Sequence, residues 1–168
     1  MHVESEGTCC GFEFKVILQD LGFRCGYVRL PKGHPWYGMR MFDIPAKVHG
    51  GITFADFCSC GPLDGGFWIG FDCAHVFDSS TLDDVSEELR GTNLANLMVN
   101  GIFDSEPANS LRSLFNHLFG ISEEDSLECE RQMKAMRKPR SMLYVESQCK
   151  NLAAECFDVA KRFNEKKL

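Results

Sequence analysis

Between Gly26 and Asp78 the chain concentrates most of its fifteen glycines, both of its tryptophans and three of its five histidines. Glycine and proline at this density interrupt regular structure after a few residues. A long helix is excluded from this region, which leaves short strands joined by loops. The stretch holds the blocks GYVRLPKGHPWYG, VHGGITF and FWIGFDCAHVFD, each setting a histidine beside glycines and aromatics. Such blocks are expected of one site built from loops and strand ends rather than of scattered core residues.

Strands are predicted over residues 12–18 and 25–30, with Gly22 in a tight connection between them. Pro31, Gly33, Pro35 and Gly38 make the following segment a loop of largely fixed path. Short extended pieces are expected at 44–49 and 52–54 around Gly50-Gly51. A loop follows over 58–66, and then an apolar interior strand over 67–72.

After Asp78 the composition changes. Thr81 and Asp84 read as a capping box ahead of Leu82, Val85 and Leu89, predicting a helix ended by Gly91. A second helix is expected over 110–119, closed by Gly120. A third starts at Ser122 with Asp125 and is stopped by Pro139. The clearest helix spans 143–163. There Cys149, Leu152, Ala153, Cys156, Val159, Ala160 and Phe163 recur every three or four residues, with Glu146, Lys150, Lys161 and Glu165 opposite.

The fold class is therefore α+β, with a small mixed or antiparallel N-terminal sheet, Gly-rich loops and a helical C-terminal half. A chain of 168 residues suits one domain. Within it, residues 1–78 form the strand and loop half carrying the site, 79–141 a helical elaboration and 142–164 a packing helix.

The net charge is −6, and no basic stretch is longer than the short Arg137-Lys138-Pro139-Arg140 cluster. A nucleic-acid polymer is disfavoured as partner, because phosphate backbones need clustered Lys and Arg. A pocket for one small phosphorylated ligand stays compatible with this charge. No apolar run reaches the ~18 residues that a membrane helix needs. The N-terminal MHVESEGTCCGFEF has neither a basic n-region nor an apolar h-region. Nine cysteines in such a chain point to free thiols, a reducing compartment and the cytoplasm.

His34, between Gly33 and Pro35, is a candidate for meeting a ligand from a loop; the alternative is an exposed histidine whose prolines shape the turn. His49 precedes Gly50 and Gly51, whose amides could bind an anion, and Thr53 could add a hydroxyl. The alternative there is a plain Gly-Gly turn. Asp72, His75 and Asp78 follow an apolar strand; either carboxylate could orient His75 as a general base. Cys73, in the same block, reads better as a buried structural thiol. Trp36 and Tyr37 could stack on a base, while Lys32, Arg29 and Arg40 could hold phosphate. Trp68 fits the core better.

His49, Asp72, Cys73, His75, Cys58 and Cys60 are ligand types for a metal. The chain has no CxxC pair and no HExxH, and CxC spacing is weak on its own. The cofactor is thus open. A divalent metal is compatible with the motifs and required by none of them.

The series RCGYV, LPKGHPWYG, VHGGITF and WIGFDCAH resembles a family of small proteins found in bacteriophage genomes and in some bacteria. The family pattern is a GYV strand, a P-x-G-H-P-x-Y-G loop, an HGG-[IL]-T turn and a [FW]-x-G-F-D-C-A-H block followed by a carboxylate. These fall on Gly26–Val28, Pro31–Gly38, His49–Thr53 and Phe67–His75, with Asp78 behind. The resemblance covers about residues 22 to 78. It implies phage origin, host cytoplasm and one shared site, and supplies no reaction. Small phage proteins often counter host defence, some by binding or cleaving nucleotide signals.

Three functions are compatible with these readings. The first is a hydrolase of a phosphoester or similar bond in a small anionic ligand, with His34, His49, Asp72 and His75 converging. Gly50, Gly51, Thr53, Lys32, Trp36, Tyr37 and Asp78 would support them. The second is a binding protein that sequesters a nucleotide signal intact. The third is a protein-interaction module using its acidic helical half.

Overall fold

The computed structural model describes residues 1–59, 61–100, 114 and 116–166. Strands β1 (His2–Cys9) and β2 (Phe12–Leu18) form an antiparallel hairpin in which Cys9 pairs with Phe12. The two residues between them, Cys10 and Gly11, have φ of 51° and 83°. Positive φ at both positions is what a two-residue primed turn requires, and it suits the right-handed twist of the strands. Strand β3 (Arg24–Leu30) adds to β2, β5 (Gly66–Asp72) adds to β3, and β4 (Phe54–Cys58) closes the far edge. All pairings in this five-stranded sheet are antiparallel, in the order β1-β2-β3-β5-β4.

The chain divides into two compact units. The first comprises residues 1–19 and 24–73 and the chain from Ser141 onward. It holds the sheet and the helix at Met142–Glu165, α3 below. Alternation along the strands sends Phe14, Val16, Val28, Ile69 and Phe71 to one face. Helix α3 covers that face with Val145, Cys149, Leu152, Ala153 and Cys156, all buried. Gly26 lets the helix approach: a Cβ there would lie 2.5 Å from the Phe71 ring and 2.6 Å from Cys149 Sγ. On the other face Ile17 and Trp68 pack with Leu63. Lys15 closes that face by donating to the Pro62 carbonyl at 2.9 Å.

The second unit comprises residues 20–23 and 74–140. It contains helix α1 (Asn93–Asn100), helix α2 (Glu123–Met136) and a short parallel ladder of β6 (Asp78–Ser79) with β7 (Lys138–Pro139). Ser122 caps α2 by accepting from the Asp125 amide, as the sequence predicts. Val85, buried, pairs with Leu21 in an isolated bridge.

The α+β class is borne out, with the sheet purely antiparallel. β2 and α3 lie where the pattern places them, and β3 and β5 each begin one residue earlier. The structure departs from the sequence reading in four places. β1 and α1 were not anticipated, and β4 takes up residues read partly as loop. The capping box at Thr81 and Asp84 forms, with hydroxyl and carboxylate 2.8 Å apart, yet no α-helix follows. Val85 is drawn into the bridge with Leu21 instead, and a 3-10 turn at Glu87–Leu89 takes the place of the helix. Of the helix expected over 110–119, residues 110–113 and 115 lie outside the described residues, and 114 and 116–119 are helical. Among the described residues no helix is long and apolar enough to cross a membrane.

Candidate functional site

The second unit builds a polar group from the residues that follow β5. A turn closes from His75 to Asp78, whose amide donates to the His75 carbonyl at 2.8 Å. The turn folds the Asp78 carboxylate back on His75. Oδ2 accepts from the His75 amide and meets Nδ1 of the ring, both at 3.1 Å. The other oxygen, Oδ1, accepts from Nε of Arg140 at 2.7 Å. Arg137 donates to the carbonyls of Asp78, Met98 and Val99 at 2.9, 3.0 and 3.3 Å. It thereby holds the backbone of the turn.

Burial separates the two members of the pair. The Asp78 side chain is 0% exposed, whereas that of His75 is 37% exposed. An ionised carboxylate only accepts, so the proton between it and the ring sits on Nδ1. That tautomer places the imidazole lone pair on Nε2. A buried carboxylate fixing the tautomer and angle of a partly exposed imidazole is the arrangement used to prepare a histidine as a general base. The carboxylate's own charge is balanced in place by Arg140.

In the first unit, His49 heads a turn in which Gly51 donates to the Val48 carbonyl at 3.0 Å. Gly50 and Gly51 have φ of 66° and 87°, the left-handed region that favours glycine. The His49 amide donates to Gln148 Oε1 at 3.2 Å, and Nδ1 lies 3.1 Å from the Tyr144 hydroxyl. Of the two amides expected here to bind an anion, that of Gly51 is thus already engaged. The Thr53 amide extends the sheet by donating to Gly70.

His34 turns inward. Nδ1 accepts from the Trp36 amide at 3.0 Å, and Nε2 meets the Cys156 carbonyl at 2.9 Å. The first contact requires a bare Nδ1 and the second a protonated Nε2, so the neutral ring satisfies both. Burial holds its pKa below the usual histidine value, with the Cys156 contact acting the other way. Trp36 is buried in the same core, so the stacking role expected of it is corrected. The loop that looks, in sequence, like a presenting loop is folded onto α3 by these two residues.

Asp72 ends β5 in register with Cys25. Burial pushes the Cys25 thiol up to about 11, with the Tyr27 and Gln19 contacts lowering it and Asp72 adding a smaller upward push. Cys73 is in the core. Cys60 lies outside the described residues. Lys32 and Tyr37 both line an open cleft of about 400 Å³, together with Arg29 and Glu13.

Arg140, Arg137, Tyr144 and Gln148 were not singled out as site residues by the sequence. Each is brought to its partner across 38 to 99 residues, for which short-range spacing gives no signal. No family model, curated protein or solved structure matches the chain.

Proposed function

We propose that this protein hydrolyses a phosphoester or related bond in a small anionic, nucleotide-like ligand, with His75 as general base and Asp78 as its positioning residue. The observation that carries the reading is the buried Asp78 carboxylate on Nδ1 of the partly exposed His75 ring. Nε2 of His75 takes a proton from water as the water oxygen bonds to phosphorus. The bond from phosphorus to the leaving oxygen breaks, and the imidazolium returns its proton to that oxygen. Asp78 stays ionised and stabilises the imidazolium formed midway. Arg137 brings positive charge to the same segment, which suits a ligand that carries negative charge.

The resemblance of the sequence blocks to phage proteins supplies a setting for such a ligand. In host cytoplasm, a nucleotide signal of host defence has the required chemistry.

The test is mass spectrometry and phosphate release on a panel of phosphomonoesters, linear nucleotides and cyclic nucleotides. The native chain is expected to generate a new mass from at least one of them. His75→Ala should slow that turnover by about 10²- to 10⁴-fold, the usual worth of a positioned base, with its melting curve unchanged. Turnover within two-fold of the native rate in the variant would sink the assignment. A ligand that disappears and returns intact on denaturation would replace hydrolysis by sequestration.

A further inference from the structure

Independently of the reaction proposed above, the first unit carries a second feature with the chemistry of a binding site. It is the cleft of about 400 Å³ lined by Arg29, Lys32, Glu13, Leu30, Pro31 and Tyr37, with Gly11 and Gly66 at its margins. The chain as a whole is at −6, yet this lining sets two cations against one carboxylate.

Arg29 is held in place from three sides. Its Nη1 donates to Glu13 at 3.2 Å. Its guanidinium carbon lies 6.0 Å from the centroid of the Trp68 ring. Its Nε lies against Gly66, where a Cβ would stand 2.6 Å away. Any side chain at that position would push the guanidinium out, so the glycine makes room for it. A guanidinium fixed in this way loses little freedom on pairing with a planar or tetrahedral oxyanion. Lys32, exposed, lines the same cleft as a second positive charge.

The opposite character lies in the same cleft. Pro31 and Tyr37 present apolar surface, with the buried Leu30 behind them. The Tyr37 ring is itself immobilised, 5.4 Å from Phe57 and 5.3 Å from Phe67 between centroids. A rigid aromatic wall offers stacking without an ordering cost. The volume lies within the range of small-molecule sites and is too small for a polymer.

We propose that this cleft binds a small ligand that joins an aromatic ring to a phosphate-type anion, the ring against Tyr37 and the anion on Arg29 and Lys32. The proposal does not rest on the His75 reaction, because every residue of the cleft belongs to the first unit.

The experiment is calorimetric titration of the full chain with adenosine 5′-monophosphate, adenosine and inorganic phosphate. To keep turnover out of the signal it is repeated on the His75→Ala chain. The nucleotide should bind at least ten-fold more tightly than either half, and equally to both chains. Arg29→Ala and Lys32→Ala should each weaken it, the first by ten-fold or more, with melting temperatures unchanged. Gly66→Ala should weaken it as Arg29→Ala does. Nucleotide binding no tighter than phosphate, or indifferent to both Arg29→Ala and Lys32→Ala, overturns the proposal. Loss of turnover in His75→Ala with nucleotide binding intact would leave both readings standing. Intact binding without turnover in the native chain would leave only this one.

Discussion

Nε2 of His34 donates to the carbonyl of Cys156 at 2.9 Å, joining a loop after β3 to the middle of α3 across 122 residues. The pair makes the first unit sensitive to acid. The folded ring is held neutral, and its pKa lies below the 6.5 of an ordinary histidine. Between the two values the unfolded chain binds the extra proton, so stability rises with pH. It is complete above about 6.5 and is lost as pH falls from there toward the folded pKa. Thermal melts from pH 7.5 to 5 should show this loss in the native chain and less of it in His34→Gln. Parallel pH slopes in the two chains would show that another group is responsible.

The ion pair of Asp78 with Arg140 should be strongly coupled. Removing one partner of a buried pair costs about 3–5 kcal/mol, much of it from the charge left behind. Asp78→Ala and Arg140→Ala should each destabilise the second unit, and the double variant should cost at least 1 kcal/mol less than their sum. Denaturant titrations of the four chains measure this, and additivity within about 0.5 kcal/mol would contradict it.

Gly26→Ala tests how closely α3 approaches the sheet. The added methyl meets Phe71 and Cys149 at 2.5 and 2.6 Å. Neither is the free end of a flexible chain, since both are buried in the core. A loss of about 1–3 kcal/mol is expected from overpacking, or more if the helix is displaced. A variant as stable as the native chain would mean that the core yields at this point.

The thiols should divide sharply in reactivity. Burial raises Cys25 to about 11 and Cys149 and Cys156 to about 12. Cys10 and Cys129 are exposed. Iodoacetamide at pH 8, followed by peptide mapping, should label Cys10 and Cys129 first. Cys25, Cys149 and Cys156 should react only on unfolding. Early labelling of Cys149 would reveal opening of the interface between α3 and the sheet.

The parts of the fold legible in sequence are those with an apolar period. β2, β3 and β5 alternate about a buried face, and α3 repeats every three or four residues, so each declares itself. β1 reads HVESEGTC, polar on both sides, and is a strand because β2 needs a partner. α1 is one short stretch of eight residues with a single buried side chain. At Thr81 the local signal is real and tertiary pairing overrides it.

The same divide runs through the site. His75 and Asp78 are three residues apart, so their meeting follows from one turn. Arg140 arrives from 62 residues away, beyond any local pattern. His34 shows the opposite error. Its prolines and glycines resemble those of a presenting loop, but the ring's two hydrogen bonds are spent on backbone inside the protein.

The division of the chain also sets an order of events during synthesis. The sheet is complete at Cys73, but the helix that covers its apolar face begins only at Met142. At about 5–20 residues per second, the intervening 74–140 segment takes roughly 3 to 13 s to emerge. Throughout that interval Phe14, Val16, Val28, Ile69 and Phe71 lack the helix that buries them. A ribosome that stalls before Ser141 therefore holds a sheet with its greasy side bare, and the nascent chain depends on translation finishing promptly to stay out of aggregates.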